Sequence, residues 1–71
     1  MKVYFYDELL KKSNDELLDL LSSYIFLRND ICNIITYDPD NKELYTENYV
    51  YFYILNITKI KNVLKSRTLI T

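Results

Sequence analysis

Tyr49-Val50-Tyr51-Phe52-Tyr53-Ile54-Leu55 is the stretch on which the fold turns. Aromatic and β-branched residues dominate it, and these favour strands. In a strand Tyr49, Tyr51 and Tyr53 share one face, while Val50, Phe52 and Ile54 share the other. The aliphatic set then enters the core and the tyrosines lie on an open sheet face. The same region admits a second reading. Val50, Tyr53, Ile57, Ile60 and Leu64 fall at helical spacing, Thr46 is a suitable N-cap, and Tyr45 can staple onto Val50. In a helix the three tyrosines scatter. The expected element is a strand over 49–55 after a tight turn at Glu47-Asn48, with a helix from Glu47 left open beside it. Both versions end in a C-terminal helix at about 58–66.

Upstream, Asp38-Pro39-Asp40-Asn41 is a turn with a mechanism. Pro39 presets φ, and the Asp and Asn side chains satisfy nearby backbone groups. Ile31-Cys32-Asn33-Ile34-Ile35-Thr36-Tyr37 before it reads as a strand, and Lys42 to Thr46 after it as the returning arm. Together they give a hairpin over 31–46. Ser13 with Glu16 three residues on forms a capping box, with Asp15 and Glu16 placed where the helix dipole favours acids. Leucines at three- to four-residue spacing follow, so a helix is expected at about 14–28. Asp7-Glu8-Leu9-Leu10 suits a single helical turn, and Lys2 to Tyr6 an N-terminal strand. The expected fold class is therefore α+β: one small domain over 1–71, with an antiparallel sheet packed against two helices.

Composition narrows the chemistry. The 71 residues contain no glycine, histidine or tryptophan, one cysteine and eight tyrosines. A lone Cys32 cannot close an internal disulfide and lacks a histidine base. The usual zinc ligand sets are excluded, and phosphate-cradling loops need glycine. A calcium loop at the turn fails because Glu43 stands at the glycine position and Tyr49 at the terminal glutamate position. No catalytic constellation forms, and no cofactor or metal is expected. The apolar share of 49% supports a real core and argues against disorder. The longest uncharged run, 48–58, is too short to span a bilayer. A reducing, cytoplasmic setting is expected. A chain this short is marginal alone, so self-association is expected to help it.

Two surfaces stand out. Tyr45, Tyr49, Tyr51 and Tyr53 suit a protein-binding face, because tyrosine gives large contact area at low entropic cost. Lys59, Lys61, Lys65 and Arg67 follow the last acid, Glu47, and suit nucleic-acid phosphates or an acidic protein surface. Ile, Lys, Asn, Tyr and Phe make up nearly half the chain, and alanine is absent too, as an AT-rich genome would produce. Very short reading frames of this kind are frequent in phages, viruses and mobile elements. The expected role is a small non-enzymatic protein that inhibits or modulates a host or cognate protein through its tyrosines. In a viral setting its place is the host cytoplasm. A nucleic-acid-binding regulator using the basic segment is the second reading, and a structural subunit of a larger assembly the third.

Overall fold

A computed structural model describes residues 2–68 of the chain. It consists of an extended arm, a helical turn and two long antiparallel helical rods. Residues 2–5 are extended and lead into α1 (Tyr6–Leu10). Then α2 (Asn14–Tyr37) runs the length of the molecule. A 3₁₀ turn at Pro39–Asn41 reverses the chain. The second rod comprises α3 (Lys42–Tyr45), a π-helical segment (Thr46–Val50) and α4 (Tyr51–Thr68).

The expected α+β class is overturned, because no strand and no sheet occur among the described residues. The predicted N-terminal strand is an extended arm that pairs with side chains. The predicted strand 31–37 is the second half of α2, so the helix expected over 14–28 continues to Tyr37. The returning arm of the 31–46 hairpin is helical. The stretch 49–55 follows its alternative, helical reading, and the C-terminal helix begins at Tyr51 instead of residue 58.

The physical reason is that a β-branched or aromatic residue costs a helix only a few tenths of a kcal/mol. Burial on a continuous face outweighs that. Leu17, Tyr24 and Ile31 recur every seven residues along α2, and Leu17 and Ile31 are buried. On α4 the buried Tyr53, Ile57, Ile60 and Val63 keep three- to four-residue spacing. Neither Gly nor Pro interrupts 14–37. Pro39 ends the helix, since the residue before a proline is pushed out of the α region. Asp38 there has φ −133° and ψ 68°.

Three local expectations hold. The Ser13 hydroxyl accepts from the Glu16 N–H, and Glu16 accepts from the Ser13 N–H, both at 3.2 Å. Asp7 and Glu8 lie in the first turn of α1. The 38–41 segment is the turn it was read to be, joining two helices. Asn41 Nδ2 donates to Asp38 Oδ2 at 2.9 Å, and the Tyr45 hydroxyl donates to the same oxygen at 3.1 Å.

Leu9, Leu17, Ile60 and Val63 form the core cluster, with Tyr4, Leu20, Leu21, Tyr24 and Leu64 packed around it. It sits where α1 crosses the two rods. The body measures 47 × 17 × 17 Å, with a radius of gyration of 13.8 Å. A compact chain of this length would have about 11 Å. The fold is a rod with a thin seam, so little apolar surface is fully removed from water.

The arm is held by Asn56, which is fully buried. Its Oδ1 accepts from the Tyr4 N–H and its Nδ2 donates to the Lys2 carbonyl, each at 2.9 Å. Asn56→Ala removes both bonds and should cost about 2 kcal/mol, read as a lower urea midpoint with residues 2–5 freed for proteolysis. An unchanged midpoint would show that the arm is not held there.

The carboxyls of Glu8 and Glu16 are both held below their ordinary value of 4.5. For Glu8 the larger cause is the hydrogen bond from Lys2, then that from the Phe5 N–H. For Glu16 it is the Ser13 backbone, then the Ser13 side chain. A depressed folded value means that this stabilisation is present above 4.5 and lost as pH falls through the folded value. Carboxyl NMR titrations should give midpoints below 4.5 for both residues, with the starts of α1 and α2 fraying as they protonate. Midpoints at or above that value would reject the caps.

Candidate functional site

The tyrosines do not form one face. Tyr53 is buried, Tyr49 and Tyr45 lie near the hairpin tip, and Tyr51 points outward with 62% of its surface exposed. Four tyrosines make an internal ladder instead. The Tyr4 and Tyr24 rings meet edge to face at 6.3 Å, whereas Tyr24 and Tyr53 are tilted at 6.1 Å and Tyr53 and Tyr49 at 6.4 Å. Aromatic pairs at such separations favour tilted or edge-on geometry over a stacked sandwich. Burial pushes the Tyr24 hydroxyl above its ordinary pKa, with the Tyr4 hydroxyl beside it adding to the effect. The ladder ties the arm to α2, and α2 to the second rod.

The tip gathers what the ladder leaves. Leu44, Tyr45, Asn48 and Tyr49 line a shallow pocket where the second rod leaves the turn. Asn48 Nδ2 donates to the Leu44 carbonyl at 2.7 Å, and the bond to Asp38 fixes the Tyr45 hydroxyl. That bond to a carboxylate also raises the Tyr45 pKa. Leu44 is largely exposed, and Tyr37, at the end of α2, is 89% exposed. The π-helical turn at Thr46–Val50 changes the helical register between Tyr45 and Tyr51. It leaves Tyr49 reaching the Tyr53 ring while Leu44 stays outside. Between residues 38 and 47 there are four acids and one lysine. The tip is therefore aromatic, apolar and negatively charged.

The basic segment divides into two pairs. Lys59 donates to the Tyr4 carbonyl at 2.9 Å and lies 5.4 Å from the Tyr6 ring centroid. Arg67 donates to the carbonyls of Leu10 and Lys12 at 3.0 and 2.7 Å, and to Asn14 Oδ1 at 2.8 Å. Both cations are occupied in satisfying the backbone that links the arm and α1 to α2. Lys61 and Lys65 are exposed. The structure thus separates the four candidate cations instead of presenting them as one patch.

Sequence reasoning missed Asn56 and Arg67 as structural clamps. Their signal was present: each falls on the buried stripe of α4, where a polar residue needs a partner.

Cys32 is exposed on α2. Among the described residues no three acids or cysteines converge as metal ligands. No helix among them is long and apolar enough to cross a membrane. The chain matches no protein-family model, no curated protein and no solved structure with which it was compared.

Arg67→Ala should lower stability by about 1 kcal/mol or more through the lost guanidinium hydrogen bonds. Lys61→Ala with Lys65→Ala should stay within about 0.5 kcal/mol, as exposed surface changes do. Thermal melts of the two variants check the division, and equal losses would refute it.

Proposed function

We propose that this chain is a non-enzymatic binding protein that works in the cytosol and engages a partner protein through its hairpin tip. The observation that carries the reading is the aromatic and apolar group at the tip, exposed Leu44, Tyr49 and Tyr37 beside half-buried Tyr45, framed by acids. Buried aromatic anchors dominate protein interfaces. The local negative charge suits a partner surface that is apolar at its centre and basic at its rim. The tip is held by hydrogen bonds from Asn41 and Tyr45 to the Asp38 carboxylate, so little ordering entropy is lost on binding.

This reading keeps Tyr45 and Tyr49 as contact residues and gives Tyr53 a packing role. A small protein of this kind acts stoichiometrically, by occupying or blocking a surface of a host or cognate protein. The AT-rich composition fits a viral or mobile-element origin. Two free lysines, Lys61 and Lys65, are a small footprint for nucleic acid, since the electrostatic part of affinity grows with the number of phosphates contacted.

The test is affinity capture from nuclease-treated lysate with the wild-type chain and a Leu44→Ser, Tyr45→Ser, Tyr49→Ser variant. One protein should be retained at fixed stoichiometry by the wild type and lost by the variant, at least about tenfold, as expected of hot-spot residues. Helical circular dichroism of the variant serves as the folding control. Retention of the same protein by the variant, or loss of all partners on nuclease treatment, would overturn the proposal.

A further inference from the structure

The hairpin tip collects negative charge that the chain does not neutralise. α2 ends at Tyr37, and its last turn holds no basic residue. The helix dipole puts partial negative charge at that end, where a cation is favoured. Asp38 follows directly and adds a full charge. It makes no ion pair among the described residues, where the pair found is Lys2 with Glu8.

The Asp38 carboxylate is used on one side. Asn41 Nδ2 and the Tyr45 hydroxyl both donate to Oδ2. Oδ1 receives no hydrogen bond among the described residues, although Asp38 is half-buried. An ionised carboxylate can accept about four bonds over its two oxygens. Oδ1 therefore has room for a donor from outside the chain.

An aromatic surface adjoins this oxygen. Tyr45, whose hydroxyl is bonded to Asp38, lines the shallow pocket with Leu44, Asn48 and Tyr49. Asn48 commits its Nδ2 to the Leu44 carbonyl and keeps its oxygen as an acceptor. The pocket holds about 370 Å³, at the lower end of the roughly 300–1,000 Å³ of small-ligand sites. That is room for one long side chain laid across it. Elsewhere the chain covers tyrosine rings with its own cations. Lys2 Nζ lies 4.5 Å from the Tyr4 ring centroid, and Lys59 Nζ 5.4 Å from that of Tyr6. Among the described residues no cation is found over Tyr45 or Tyr49.

Taking the tip as the partner-binding surface, we infer that its pocket receives an arginine side chain of the partner protein, with the guanidinium on the Tyr45 ring and donating to Asp38 Oδ1. Each feature of the tip calls for this chemistry. The end of α2 favours positive charge, the tyrosine face attracts a cation, and the half-used carboxylate accepts a donor. Arginine meets all of these at once, because its flat fork stacks on an aromatic ring while its N–H groups donate in the plane. A lysine ammonium is a compact, strongly hydrated point charge without that paired geometry. Nucleic acid is disfavoured here, since its phosphates would meet Asp38 as like charges.

The probe is N-acetyl-arginine amide, titrated into the isotope-labelled full chain at constant ionic strength and followed by NMR. It is taken to about 100 mM, because so few contacts give affinities of millimolar order or weaker. The amide signals of Asp38, Tyr45, Asn48 and Tyr49 should move. The citrulline analogue has the same shape without the charge and should bind at least about fivefold more weakly, and the lysine analogue at least about twofold. Asp38→Asn keeps an acceptor for Asn41 and Tyr45 but loses the charge. It should weaken arginine binding at least about fivefold with an unchanged helical spectrum. Tyr45→Leu, which removes the ring, should weaken it at least about twofold. No shift at the tip, equal binding of citrulline or lysine, or wild-type affinity in either variant would overturn the inference. Partner capture separates it from the tip reading. Arginine binding by a chain that retains no partner upholds the pocket and fails the tip. A partner lost by the triple serine variant but held as tightly by Asp38→Asn upholds the tip and overturns the arginine.

Discussion

The Asn56 side chain sets the conditions for everything at the arm end of the molecule. A buried amide must find both a donor and an acceptor, or it costs more than an apolar residue of the same shape. On α4 the neighbouring helix cannot supply them, because its backbone groups are bonded along its own axis. An extended segment can, since it offers an N–H and a carbonyl two residues apart. Lys2 and Tyr4 provide that pair. Once the arm is laid along α4, α1 follows at a fixed place, and Leu9 is delivered to the centre of the core with no exposed surface. Lys59 and Arg67 then close the carbonyls of Tyr4, Leu10 and Lys12. Three polar residues on one helix thus convert a two-helix hairpin into a body with a third layer at one end.

This arrangement explains the distribution of stability along the rod. Leu9, Leu17, Ile60 and Val63 cluster beneath the arm. Beyond it, towards the turn, the two rods have only each other, and burial there rests on Ile31, Tyr53 and Ile57. Two helices in contact leave more than half of each circumference in water, so residues on the shoulders stay half exposed whatever their type. Tyrosine suits such positions, because the ring packs while the hydroxyl remains solvated. The ladder from Tyr4 through Tyr24 and Tyr53 to Tyr49 bridges the weak half by this means.

Local signals were legible in the sequence wherever one residue acts through its own backbone. The Ser13 capping box and the Pro39 turn stood in the open because their physics is confined to four residues. The fold class was not legible from propensity. Ile31 to Tyr37 and Tyr49 to Leu55 favour strands residue by residue, yet a strand needs a neighbour. Taken as partners, the predicted strands would have buried Val50, Phe52 and Ile54 together. The helical face instead buries Tyr53, Ile57, Ile60 and Val63, a row that runs unbroken into Arg67. Length decided between them: the strand pattern lasts seven residues, whereas the helical spacing persists for eighteen. The candidate site followed the same division. Tyr45, Tyr49, Tyr51 and Tyr53 were read together as one face, and the separation of Tyr51 from Tyr53 appears only once the backbone is helical.

The basic residues of α4 show how a helix assigns unlike tasks to chemically similar neighbours. Lys59 and Arg67 both reach backbone carbonyls of the arm, α1 and the segment after it. Lys61 and Lys65 are four apart and share the side that faces away. The first pair loses its freedom to backbone carbonyls and so has little left to offer a ligand. The second keeps its charge in solvent, where it gains little from isolated pairing with surface acids. Asp15 and Glu16 sit in the first turn of α2, where the helix dipole favours acids, and Lys65 and Arg67 in the last turn of α4, where it favours cations.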